Sequence, residues 1–292
     1  MHMQRKWNSG VLFSLLFTLL LTACSSGGGD SAAPVVPVVP VVPAGTAEGL
    51  WTGMMAGRTV NGAVLDDGTY WFLYSAVDNS ALMEGALQGN GSSPNVPFPS
   101  SNGLFFNNDA LPPAPPEKHD VTVTASYAMQ KDLSGTLTFL NAGGGTLAFT
   151  STFSSQNSVP PVFPNVPETY SGSVFGFPHT MTISNLGVIT VTTPSNTGYT
   201  TGVSVDVSGI ELGCDFTGTL TPRSQGGNMY NIELTPDPSN IVTFPHCNPA
   251  TLTGVAFFDA DDPNPTVTTK RIYVLALNSD RNRVFPFTGT RP

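Results

Sequence analysis

Beyond residue 23 the chain carries only three histidines, His119, His179 and His246, so hydrolase chemistry that needs a histidine base has to be built on them. A serine hydrolase needs a histidine between an activated serine and an orienting carboxylate. No Gly-x-Ser-x-Gly elbow, Ser-x-x-Lys pair or His-Glu-x-x-His run occurs. An envelope hydrolase would therefore need a cleft that brings His179 or His246 beside Ser and Asp. The carboxylates Asp259, Asp261 and Asp262 precede Pro263-Asn264-Pro265 and offer alternating oxygens of the kind Ca²⁺ takes. The glycine and terminal Glu of an EF-hand are missing, and Asp, Asn and Pro are ordinary turn residues. Cys247 adjoins His246 and Cys214 adjoins Asp215, but neighbours on a strand point to opposite faces and do not chelate one ion. Gly143-Gly144-Gly145 and Gly226-Gly227 lack the Lys and helix of a phosphate-cradling loop. The expectation is no catalytic residue, no metal and no cofactor. What remains is aromatic: Tyr70-Trp71-Phe72-Leu73-Tyr74 places large rings on both faces of one strand. One face fills a core and the other meets a partner, the second half of the chain or a ligand, which makes Tyr70, Trp71 and Tyr74 the candidate binding residues.

The elements that position these residues follow an N-terminal address. Arg5 and Lys6 precede an apolar run from Val11 to Leu21, the layout of a secretory signal peptide and too short for a spanning anchor. Leu21-Thr22-Ala23-Cys24 resembles the bacterial lipobox, in which the cysteine is acylated and becomes the first mature residue. That resemblance implies lipidation at Cys24, and Ser25 after it implies sorting to the outer membrane rather than inner-membrane retention. The alternative is an ordinary signal peptide cleaved nearby, with Cys24 incidental. Loss of residues 1–23 would leave 9 basic and 20 acidic side chains, a net charge of −11. Such a body is repelled by anionic lipid, so the membrane partner is reached through acyl chains. The whole chain, at −9, has no basic patch for phosphates, which excludes a general nucleic-acid binder. Ser25 to Asp30 is a Gly/Ser linker, and Pro34 to Pro43 repeats proline every third residue, the period of a polyproline II spacer roughly 30 Å long. With Cys24 acylated in an oxidising envelope, Cys214 and Cys247 are left as a pair, and a disulfide between them is expected.

From Gly49 onward the pattern is period two or short apolar runs, broken every eight to twelve residues by Gly, Pro, Asn and Asp. Only 11% of residues are charged, and Thr and Ser fill the polar positions, as suits strands better than helices. Thr59 to Leu65 and Thr69 to Ser75 flank Asp66-Asp67-Gly68 as a hairpin. Strands follow over 82–88, 120–128, 133–140 and 146–153, while Gly89 to Lys118 reads as a long loop with at most a short strand at Leu104 to Phe106. Residues 47–153 and 168–292 are expected as two β domains, joined by a connector over 154–167 with four prolines.

Three recurrences link the halves. The aromatic-hydroxyl-glycine run of Trp51 to Gly53 returns at Tyr170 to Gly172, and Asp132 to Thr138 returns at Asp215 to Thr221. The stretch from Val60 to Ser75 finds an echo in Leu252 to Leu277, out of order. Duplication and a shared strand–glycine–strand vocabulary both account for them. Gly49-Leu50-Trp51 resembles the glycine-x-tryptophan of lipocalin-type barrels. The layout as a whole resembles outer-membrane lipoproteins of Gram-negative, betaproteobacterial type. In architecture alone it resembles surface lipoproteins with handle and barrel lobes, such as transferrin-binding protein B and factor H binding protein. The expected fold is all-β, two antiparallel barrel or sandwich lobes with up-and-down barrels foremost. The expected function is binding or envelope interaction without catalysis, with a carrier of a small apolar ligand in a barrel lumen as the alternative.

Overall fold

The computed structural model describes residues 46–92, 97–108, 117–140, 144–161, 163, 167–193, 214–224, 227–237, 250–259 and 270–291. Cys24, His246, Cys247, Asp261, Asp262 and the Pro-Val repeat lie outside these residues.

The first eight strands are β1 (Gly49–Met55), β2 (Arg58–Val64), β3 (Thr69–Ser75), β4 (Met83–Asn90), β5 (Phe98–Asn107), β6 (Glu117–Ala128), β7 (Asp132–Phe139) and β8 (Thr146–Phe153). Each pairs antiparallel with the next, and β1 returns to β8, so the sheet closes into an eight-stranded up-and-down barrel. The second eight are β9 (Glu168–Val174), β10 (Phe177–Ile183), β11 (Val188–Thr192), β12 (Phe216–Pro222), β13 (Met229–Pro236), β14 (Leu252–Asp259), β15 (Arg271–Leu277) and β16 (Val284–Thr290). They close in the same sequential order through β16 and β9. The fold is thus all-β, two closed antiparallel barrels of the lipocalin-like kind.

Local chemistry explains the closures. Gly53 of β1 sits opposite Ser151, and Gly172 of β9 opposite Gly289. A Cβ on Gly53 would stand 2.0 Å from the Thr150 carbonyl oxygen, and one on Gly172 1.9 Å from that of Thr288. The glycine of each aromatic-hydroxyl-glycine opening is therefore what lets the first strand approach the last. The other two recurrences do not fall on equivalent strands: Asp132 to Thr138 is the seventh strand of its barrel and Asp215 to Thr221 the fourth. They are shared local vocabulary. Asp66-Asp67-Gly68 turns as expected, with Gly68 donating to the Leu65 carbonyl at 3.0 Å and taking a φ of +81°.

The segment read as a long loop holds β5. Phe98, Ser100 and Phe105 are buried, and a register shift between Ser100 and Gly103 absorbs Ser101-Asn102. The Pro and Asn that suggested a loop are accommodated by this bulge. A second correction concerns cysteine: no disulfide is found between two described residues. Cys214 is the only cysteine among the described residues, and it lies fully buried within the apolar cluster of the second barrel. Cys247, its expected partner, lies outside the described residues.

Alternation sorts each strand. In the first barrel Trp51, Tyr70, Phe72, Tyr74, Phe98, Phe105 and Leu137 belong to one buried cluster, the lumen. Leu50, Ala63, Leu73, Ala86, Leu104 and Phe106, on the other face, join the cluster of the second barrel. The outer face of β2–β5 is thus the seam between barrels. Away from the seam the outer face is hydroxylic: Thr122 faces Thr138, which faces Thr146, and in the second barrel Thr169, Thr182, Thr190, Thr217 and Thr235 form one row across five strands. Apolar within and polar without is the reverse of a membrane-spanning β-barrel.

Candidate functional site

The lumen of the first barrel is built by inward rings from β1, β3, β5 and β8. Trp51 closes one end, its Nε1 donating to the Ala47 carbonyl at 3.0 Å and its edge meeting Phe153 at 5.3 Å. Tyr70 and Tyr74 both point inward. Tyr70 shares a hydrogen bond of 2.9 Å with Ser100 Oγ, and burial pushes its hydroxyl up to about 12. Tyr74 donates to the Phe106 carbonyl at 2.6 Å and stacks on Phe105 at 4.8 Å. With both hydroxyls held at the wall, the centre is left to Val64, Phe72, Phe98, Leu137 and Phe149, and the free volume there is about 20 Å³. That is room for one water.

Trp71, between the two tyrosines, points the other way and packs at the seam. The candidate binding strand is therefore divided, two residues to the lumen and one to the interface. Trp71 lines a groove of about 360 Å³ between the outer faces of the barrels, with Asp67 and Thr69 on its own side and Asn231, Glu233 and Thr253 opposite. Its indole Nε1 is closed off from water and has no hydrogen-bond partner among the described residues.

Two arginines fasten the seam, and neither was legible as a functional residue in the sequence. Arg281, in the turn between β15 and β16 with a φ of +52°, donates Nε to Gln88 Oε1 at 2.8 Å and reaches the Asn102 carbonyl at 2.7 Å. Arg223 pairs with Asp66 at 2.6 Å. Glu48, just before β1, is 2% exposed; burial first, then the Asp66 charge, holds its carboxyl above the usual range, and Arg223 opposes them.

The other sequence candidates lie apart. His119 pairs with Glu117 Oε2 at 3.1 Å and stands edge-on to Phe139. His179 is 1% exposed inside the second barrel, where Nδ1 bonds the Phe177 carbonyl and Nε2 has no partner among the described residues. Burial lowers its pKa, against smaller upward pulls from that bond and from Asp215. No Ser–His–carboxylate chain forms at His179. Asp259 is described at the end of β14, and among the described residues no group of three or more His, Cys, Asp or Glu is placed to hold a metal ion. No described helix is long and apolar enough to cross a membrane.

No family model, no curated protein and no solved structure matches the chain.

Proposed function

We propose that the protein is a binding protein of the bacterial envelope that acts without catalysis and takes a small, slender apolar ligand in the lumen of its first barrel. The observation that carries this reading is the lumen itself: its free space is bounded by apolar side chains alone, rings among them, with the tyrosine hydroxyls turned into the wall. An apolar compartment of this kind suits an aliphatic or aromatic guest. As the side chains stand it holds about 20 Å³, so entry requires the inner rings to swing aside. Titration with a linear fatty alcohol tests this. A rise in melting temperature that saturates with the alcohol, and is enlarged in Leu137→Ala, is expected; no shift in either protein sinks the carrier reading.

The tight lumen favours a second reading, in which the rings are core and recognition takes place on the outside. Attachment to the outer membrane through Cys24 belongs to both readings and is supported by Leu21-Thr22-Ala23-Cys24. The Cys24→Ala protein is expected to leave the membrane fraction or to stay as uncut precursor. Fatty-acid label retained on that variant would show that the lipid sits elsewhere.

A further inference from the structure

We propose that the groove between the barrels is a saccharide-binding site. This stands apart from the lumenal reading, since the groove lies on the outer faces and shares none of the lumenal cavity. The groove has about 360 Å³, at the lower end of the roughly 300–1,000 Å³ of small-molecule sites. Its wall mixes the groups a polyhydroxylated ring needs. Trp71 supplies apolar ring surface; Asp67 and Glu233 are acceptors; Thr253 can donate or accept. Asn231 has its Oδ1 held by Arg223, which leaves its amide N–H₂ as donor. Asp67 uses Oδ1 on the Thr69 amide at 2.8 Å, which fixes the carboxylate against the rim.

The donor and acceptor balance selects the ligand class. A polyamine would satisfy the two carboxylates and could sit on the indole, but it has no acceptor for Asn231 Nδ2. An anion would accept from that amide and be repelled by Asp67 and Glu233. A sugar hydroxyl both donates and accepts, so adjacent hydroxyls on one ring meet both sets of groups while an apolar ring face lies on the indole. Arg223, the cation bonded to Asn231, is also engaged by Asp66.

The test uses the full-length protein in a detergent without a sugar headgroup. Glucose, galactose, N-acetylglucosamine and cellobiose are titrated with saturation-transfer NMR, with putrescine and acetate as the charged probes. Binding of at least one saccharide is expected, weakened about tenfold by Glu233→Gln, the loss of one hydrogen bond, and by Trp71→Leu, the loss of the ring platform. Glu233 is exposed on β13, so its variant is expected to fold like the parent, checked by an unchanged melting temperature. The proposal is overturned if no saccharide binds at millimolar concentration, if putrescine or acetate binds instead, or if both variants bind saccharide as the parent does.

Discussion

Two buried ionisable side chains give the molecule opposite responses to pH. His179 is held neutral inside the second barrel, with its folded pKa below the ordinary 6.5. The unfolded chain takes the proton first on acidification, so this residue's share of stability is present above about pH 6.5 and is lost as pH falls toward the folded value. The pH dependence of urea midpoints between pH 7.5 and 5.5 is expected to be shallower in His179→Leu than in the parent. Glu48 has the reverse sign. Its folded pKa lies above 4.5, so the folded state keeps the proton longer, and stability drops as pH rises from the unfolded value through the folded one. At pH 7, above the unfolded value, the raised pKa makes Glu48 a net cost, and Glu48→Gln is expected to raise the melting temperature there. A lower value would show that Arg223 compensates the charge fully.

At the level of strands, barrel closure depends on two glycines with no room for a Cβ. Gly53→Ala and Gly172→Ala are each expected to cost about 1–3 kcal/mol by forcing the first strand from the last. Gly145→Ala, where nothing lies within 4 Å, serves as the neutral control. The sequence made much of this readable. Alternation and the Asp-Gly turn located β2, β3 and β6–β8 closely, and the aromatic-hydroxyl-glycine openings fell on the first strand of each barrel. β5 was lost because Pro99 and Ser101-Asn102 carry turn chemistry that a bulge tolerates. The strand of rings was read correctly as two-faced, and its outer face does meet the second half of the chain. Which faces were lumen and which were seam was not legible, because alternation labels two faces without saying what covers either. Arg281 and Arg223 escaped for the same reason: each acts across 100 residues or more of sequence, where no local spacing exists to read.

For the whole molecule, both barrels fall within one compact unit from Pro37 to Pro292. The first barrel has a lumenal cluster of its own, while its outer band of Ala63, Leu73, Ala86, Leu104 and Phe106 is continuous with the core of the second. Residues 47–153 expressed alone are expected to melt cooperatively but to self-associate, because that band becomes a solvent-facing apolar patch. A monodisperse monomer by sedimentation would show the band to be dispensable. A closed barrel has no free edge, so no ladder of backbone hydrogen bonds runs from one barrel to the other, and an apolar band between two cylinders is indifferent to direction. Contacts of that sort hold the cylinders together without stopping one from rolling on the other. Arg281, anchored on Gln88 and Asn102, and Arg223, anchored on Asp66, grip the first barrel at two separate points. Asn108 Nδ2, donating to the Phe175 carbonyl at 3.2 Å, adds a third, and fixed points off the rolling axis oppose that rotation, so the angular setting of the pair, and with it the width of the groove between them, is held by a few polar side chains of the seam.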